Sequence, residues 1–246
     1  MWRIWSFAGT LTAVAGALLA GADDGAAAAP RPAHASPEPT LTARVVMPVV
    51  AVGAPRPGAR ARMRLRGVTD WSGAAQRLMV TGRHRDARGR DWVRVQLPMR
   101  PNESAGWVRA DRVRLSATRV RFVVRLGSRR LEIWRGTRRL ASWPAGIGRP
   151  GTPTPTGRFA IQDPVTTHPS QVGIYGRYTL TLTAHSTALR TFMGGDALVA
   201  IHGTGIGRSW RVGRPSSYGC VILGERELAA AARHARPGTP VIIDRS

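Results

Sequence analysis

The chain has 246 residues, 43% of them apolar, which is enough for one large or two modest domains with real cores. Its 28 glycines, 18 prolines and many short Val/Trp/Leu alternations favour β-structure over a helical bundle. The formal charge of +23 comes entirely from arginine, since lysine is absent; guanidinium forks grip carboxylates and phosphates, so anionic polymers are expected to be attracted.

Residues 1–25 carry the three-part pattern of an export signal. Arg3 comes first, residues 7–22 are apolar or small without charge, and Ala20-Gly21-Ala22 offers a small-x-small cleavage site before Asp23. Left uncleaved, the segment is a marginal membrane anchor, because about 18 or more apolar residues are needed to span. Either way the body of the protein is expected outside the cytoplasm: in the periplasm, in a cell wall or on the outer face of the membrane. That placement argues against nucleic acid as the partner of the arginine charge. Residues 26–43 are rich in Ala and Pro, without apolar periodicity, and read as a disordered spacer.

Residues 44–117 read as a small β-barrel of short strands separated by turn signals. Valine-rich residues 44–52 contain Pro48, which suggests an edge strand. Leu78 to Thr81 is a short apolar run, and Trp92 to Leu97 alternates with Val93, Val95 and Leu97 on one face. A Pro/Asn turn precedes Gly106 to Arg109, and Val113 to Leu115 follows.

Residues 118–246 form a second unit. Val120, Phe122, Val124 and Leu126 alternate with arginines, a half-buried strand that turns at residues 126–129 into Leu131 to Trp134. Another turn leads to Leu140 to Trp143, and a rigid proline-rich loop at residues 148–157 delivers the strand 158–161. Tyr178 to Leu182 alternates again. Residues 225–235 are the one convincing helix, broken by Arg236-Pro237-Gly238 before a last buried strand at residues 241–243. The expected fold class is mainly β, with one short helix directly after the only cysteine.

That cysteine is Cys220. A lone cysteine in an exported chain cannot form an intrachain disulfide, so it is a small buried hydrophobe or a reactive thiol. The thiolate is the nucleophile and a free thiol titrates at about 8.5, so a neighbouring imidazole is needed to take the proton near neutrality. His202 follows a buried-looking apolar run. Gly203 lets the chain turn beside the ring, where a backbone carbonyl would fix the tautomer. Gly219 would let a carbonyl substrate approach, so that amides near Cys220 form an oxyanion hole. A helix beginning near Gly224 would favour the thiolate if its N-terminus points there. His34, His84, His168, His185 and His234 stand in no comparable setting. The absence of H-E-x-x-H and C-x-x-C gives a metal site no support, and no cofactor is implied.

Three ordered motifs sharpen this reading: G-x-x-x-T-P-T-P-T-G-x-F at residues 148–159, I-H-G-T at 201–204 with S-Y-G-C at 217–220, and G-T-P-V-I-I at 238–243. Together they resemble the L,D-transpeptidase (YkuD) family over residues 118–244. The resemblance implies a β-rich catalytic domain acting on peptidoglycan stem peptides. Cys220 would attack the carbonyl of the third stem residue, the terminal D-alanine would leave, and an amine of a second stem would resolve the thioester. His202 would be the base and Gly203 would contribute its carbonyl, while Ser217, Tyr218 and Gly219 would shape the substrate or oxyanion site. Residues 91–115 resemble the Src-homology-3-like modules of bacterial wall enzymes.

Two positions depart from the family pattern. Tyr218 stands where the family usually has His, and Ile222 where it usually has Arg or Asn. They imply a slow or atypical enzyme, and the alternative is a catalytically weak or inactive peptidoglycan-binding relative. NlpC-type peptidases place the cysteine before the histidine, and sortases expect a threonine before the cysteine. A binder of anionic wall polymers driven by charge alone would not need Cys220.

Overall fold

The computed structural model describes residues 38–246; the export signal expected over 1–25 and the greater part of the expected spacer lie outside the described residues. Seven strands come first: β1 Thr40–Val45, β2 Val49–Val52, β3 Ala61–Leu65, β4 Arg77–Arg85, β5 Asp91–Gln96, β6 Ala105–Arg109 and β7 Val113–Thr118. They hydrogen-bond antiparallel in the order β3-β2-β6-β5-β4-β1-β7. The alternation in β5 does what its period demands: Val93 and Val95 enter a core with Leu65, Leu78, Leu97 and Val108. Trp92 faces the other way and donates its indole N–H to Asp86 at 3.0 Å.

Two differences from expectation have simple causes. Residues 44–52 are not one strand: β1 ends at Val45 and β2 begins at Val49, because Pro48 has no N–H for a ladder. β1 also takes in residues 40–43, where Thr42 and Ala43 are buried, so ordered chain begins inside the expected spacer.

The remaining strands are β8 Val120–Arg125, β9 Arg130–Arg135, β10 Arg138–Pro144, β11 Ile147–Gly148, β12 Gly157–Thr166, β13 Tyr178–His185, β14 Leu198–Gly203, β15 Pro215–Ser217, β16 Val221–Leu223 and β17 Pro240–Asp244. Eight of them form a mixed sheet in the order β10-β9-β8-β17-β12-β13-β14-β16, while β11 and β15 pair as a small parallel ribbon. Helix α1 is a single turn, Val172–Tyr175, too short to leave a periodic signal; α2 is Glu225–Ala232, ending before residues 233–235. Among the described residues no helix is long and apolar enough to cross a membrane. The mainly β reading therefore holds.

The register at the sheet edge sets up the site. β16 runs parallel to β14 with Ile201 opposite Val221, His202 opposite Ile222 and Gly203 opposite Leu223. Ile201, Val221 and Leu223 join the core with Phe159, Leu180 and Leu228 of α2. Side chains alternate along a strand, so His202 and Ile222 must point to the opposite face. The two sheets are sewn together by buried polar groups. The carboxylate of Asp163 accepts the backbone N–H groups of Trp71 and Ser72, each at 3.0 Å, and Gln96 donates to the Arg158 carbonyl at 2.6 Å.

Candidate active site

His202 leaves the last full turn of the β14 pleat on the face away from the core, yet it is only 4% exposed. Its Nδ1 lies 2.7 Å from the Gly203 carbonyl oxygen. A carbonyl only accepts, so Nδ1 carries the proton and Nε2 keeps a free lone pair. The ring of Tyr175, from α1, meets the imidazole edge to face at 5.1 Å and fixes its plane. Gly203 is packed without room for a side chain: a Cβ there would sit 2.0 Å from a carboxylate oxygen of Glu225 and 3.0 Å from the Cα of Gly176. Glu225 is held in that notch by the backbone N–H of Arg177 at 3.2 Å.

Cys220 arrives from a different construction. The proline-rich loop after β11 braces residues 217–219: Arg149 N–H donates to the Ser217 carbonyl at 3.0 Å and the Thr152 hydroxyl to the same oxygen at 3.3 Å. Ser217 then closes a tight turn. Its hydroxyl donates to the Cys220 carbonyl at 2.6 Å and accepts the Gly219 N–H at 3.1 Å. Gly219 has φ 117°, a conformation that a residue with a Cβ rarely adopts. Its amide is spent on Ser217 and is not available to a substrate oxygen. The amides of Tyr218 and Cys220, by contrast, donate no loop, cap or side-chain hydrogen bond among the described residues, which makes them candidate donors for an oxyanion.

His202, Cys220, Ser217 and Tyr218 line one cavity of about 280 Å³. Tyr218 stands at its rim, 46% exposed, under the Arg149 guanidinium at 4.0 Å and against Phe192 at 5.2 Å. Sequence reasoning missed the walls: Ile174, Tyr175, Phe192, Met193, Trp210 and the arginines Arg208 and Arg211. An exposed tryptophan between two arginines in a glycine-rich loop was the one available signal. A larger cleft of about 650 Å³ opens elsewhere, lined by Thr40, Val80, Arg158 and Ile242 among others, but it holds neither the thiol nor a histidine. Size does not locate the chemistry here.

The electrostatics describe a neutral resting pair. Burial lowers the His202 pKa to about 4, with the Arg211 guanidinium pushing the same way and the Gly203 hydrogen bond opposing. Burial raises the Cys220 thiol, while the backbone of Ala200 and the Arg211 guanidinium act in the opposite sense. No hydrogen bond joins thiol and imidazole among the described residues. Helix α2 begins only at Glu225, after the three extended residues of β16 and the N-cap Gly224, so Cys220 does not belong to its first turn.

Ile222 does not face the cavity as a missing contact. It is fully buried beneath Gly146, whose backbone exchanges two 2.8 Å hydrogen bonds with it. Arg211 instead brings a cation to the cavity, half-buried and without a carboxylate partner among the described residues. The other histidines lie elsewhere. His84 packs on Trp107, His168 bonds Ser170, His185 bonds Asp196 and His234 follows α2, while His34 is outside the described residues. Among the described residues no group of His, Cys, Asp and Glu side chains is arranged to hold a metal.

Comparison with known proteins adds the following. The model of the L,D-transpeptidase catalytic domain, YkuD, matches residues 119–243. An L,D-transpeptidase from Mycobacterium smegmatis is similar at 18% identity, covering 67% of this chain and 93% of that one, with a TM-score of 0.40. L,D-transpeptidase 3 from Mycobacterium tuberculosis, solved with a faropenem-derived adduct, is 16% identical over 82% of this chain and 93% of that one, with a TM-score of 0.43. A Bdellovibrio bacteriovorus structure is 20% identical over 52% of this chain, which spans only 48% of that chain's length, with a TM-score of 0.42. No curated protein matches the chain in sequence.

Proposed function

Since the chain belongs to the L,D-transpeptidase catalytic-domain (YkuD) family, matched over residues 119–243, we propose that it is an exported acyltransferase that remodels peptidoglycan stem peptides through a thioester on Cys220. The observation that carries this reading is the Nδ1 contact of His202 with the Gly203 carbonyl, which leaves Nε2 as a base in the cavity that holds the only thiol. Both groups are neutral at rest, so proton transfer accompanies attack. Sγ bonds to the carbonyl carbon of the third stem residue as Nε2 takes the thiol proton. The oxyanion is met by the amides of Tyr218 and Cys220. Collapse breaks the bond to the terminal D-alanine, whose amine leaves with the proton from the imidazolium. A second stem's amine then attacks the thioester, His202 takes its proton, and the proton returns to Sγ.

Arg211 fills the electrostatic role that Ile222 cannot. Its guanidinium lines the thiol's cavity without a carboxylate partner among the described residues, so it is placed to meet a carboxylate of the donor stem and to ease charge onto sulfur. Residues 44–117 are read as a Src-homology-3-like module and 1–25 as the export signal, which puts the site among wall peptides and anionic wall polymers.

The test is to incubate the purified protein with tetrapeptide stems and analyse Cys220 by mass spectrometry. A mass gain equal to the stem less D-alanine, absent in Cys220→Ala, is the expected result. No adduct and no crosslinked product in the wild type would overturn the enzyme reading. The second reading, a stem-binding relative without turnover, is favoured by the raised thiol pKa, and it predicts binding without an adduct in that same experiment.

A further inference from the structure

The connection from β13 to β14 carries two walls of the cavity. Phe192 leans on Tyr218, and the Met193 sulfur accepts the Tyr175 hydroxyl at 3.2 Å. Yet residues 187–196 bury no apolar side chain of their own, so the loop lacks the packing that ordinarily fixes a chain segment. Its tether comes from the other sheet. Arg100, in the turn between β5 and β6, donates from Nη1 to the Ser186 carbonyl at 2.7 Å. Its Nη2 is shared among the carbonyls of Leu189 at 2.9 Å, Asp196 at 3.2 Å and Arg190 at 3.5 Å, and Nε reaches the Asp196 carboxylate at 3.2 Å.

One planar fork thus ties the start of the loop to its end. A lysine ammonium, a point donor, cannot span those acceptors. The second oxygen of Asp196 lies 3.0 Å from Nε2 of His185; a carboxylate only accepts, so Nε2 carries the proton and donates it there, while burial lowers the ring's pKa. Asn102, from the same turn, holds only the strand end: its amide exchanges hydrogen bonds of 2.9 and 2.8 Å with the backbone of His185.

We propose that Arg100 is a positioning residue of the site, a clamp through which the first sheet sets the loop that walls the donor peptide. The proposal rests on the reading of the cavity as the donor-stem site. Its direct test is amide hydrogen exchange on the full chain. In Arg100→Ala, residues 187–196 should exchange faster while the β8–β9 hairpin is unchanged. In a Cys220→Ala background, Arg100→Ala should weaken tetrapeptide-stem binding by about tenfold, Arg100→Lys should recover only part of that, and Asn102→Ala should leave both readouts near wild type. Unchanged exchange in Arg100→Ala overturns the clamp. Equal losses in Arg100→Ala and Asn102→Ala overturn positioning in favour of simple sheet docking. A parent chain that binds no stem peptide would sink the donor-site reading, and the exchange result would still decide the clamp.

Discussion

The floor and the walls of the cavity are built on opposite principles. The floor rests on sheet: His202 is 4% exposed, and the parallel ladder of β14 and β16 pins it opposite Ile222, which is fully buried and lines none of the cavity. The walls are loops, with Trp210 59% exposed and Met193 69%. The floor holds the groups that must not move by a fraction of an ångström, and the walls hold those that must accommodate a peptide. A change in the floor should therefore strike rate or stability, and a change in the walls should strike affinity.

The largest effect is expected at the base. His202→Asn keeps a donor toward the Gly203 carbonyl but removes the lone pair, and thioester formation on Cys220 should slow by about 10²–10⁴-fold with folding intact. The burial that defines the floor also sets the pH response. The imidazole must be neutral to act, and its pKa is lowered to about 4, so kcat/KM should hold as pH falls through 6.5. Below about 4 it should drop roughly tenfold per unit. An acid limb centred near 6.5 would mean that the ring is wet and that floor and walls do not differ in the way described.

Next comes the seam between the two. A Cβ on Gly146 would lie 2.4 Å from the Arg211 carbonyl oxygen and 3.0 Å from the Ile222 Cβ, so floor and wall meet there without slack. Gly146→Ala should cost about 1–3 kcal/mol in urea denaturation, as overpacking does. Unchanged stability would show that the wall loop yields freely even at its root.

Arg211→Gln tests the wall's charge. A guanidinium with no carboxylate partner among the described residues contributes through substrate, so the variant should fold as the parent does and raise KM for the stem donor by roughly tenfold. A fall in kcat with KM unchanged would remove Arg211 from stem binding and leave it only the role of easing charge onto sulfur.

How much of this was legible follows the same division. The alternation of Val93 and Val95, of Phe122 and Val124, and the apolar run into His202 are period-two signals, and the sheets follow them. Pro48 was legible too, but as an edge signal where it in fact ends a strand. The motif residues His202, Gly203, Ser217 and Cys220 stood out because tight turns and a lone thiol constrain residue type directly. Tyr175 and Phe192 left no such mark, and Arg211 only the faint one of a tryptophan set between two arginines. They reach the cavity through a single helical turn and two loops, and no local pattern encodes which loop tip meets which. Gly219 was marked for the right reason, its backbone freedom, but its amide is taken by Ser217, a partner that only the folded turn reveals.

The smallest effect is expected at Trp210, and it probes the comparison most cleanly. The residue is the middle one of a single 3₁₀ turn, Ser209–Arg211, and is mostly exposed, so its truncation should leave stability within about 0.5 kcal/mol of the parent. The indole nonetheless lines the cavity beside Arg211, and a bound stem would bury part of it. Trp210→Ala should therefore weaken stem binding by about 1 kcal/mol, roughly fivefold, with no change in the rate at which a small alkylating reagent consumes Cys220. If instead the substitution lowers the melting temperature as much as Gly146→Ala does, Trp210 belongs to the folded core. The wall would then be as rigid as the floor, and the loop that carries it could not be the adaptable half of the site.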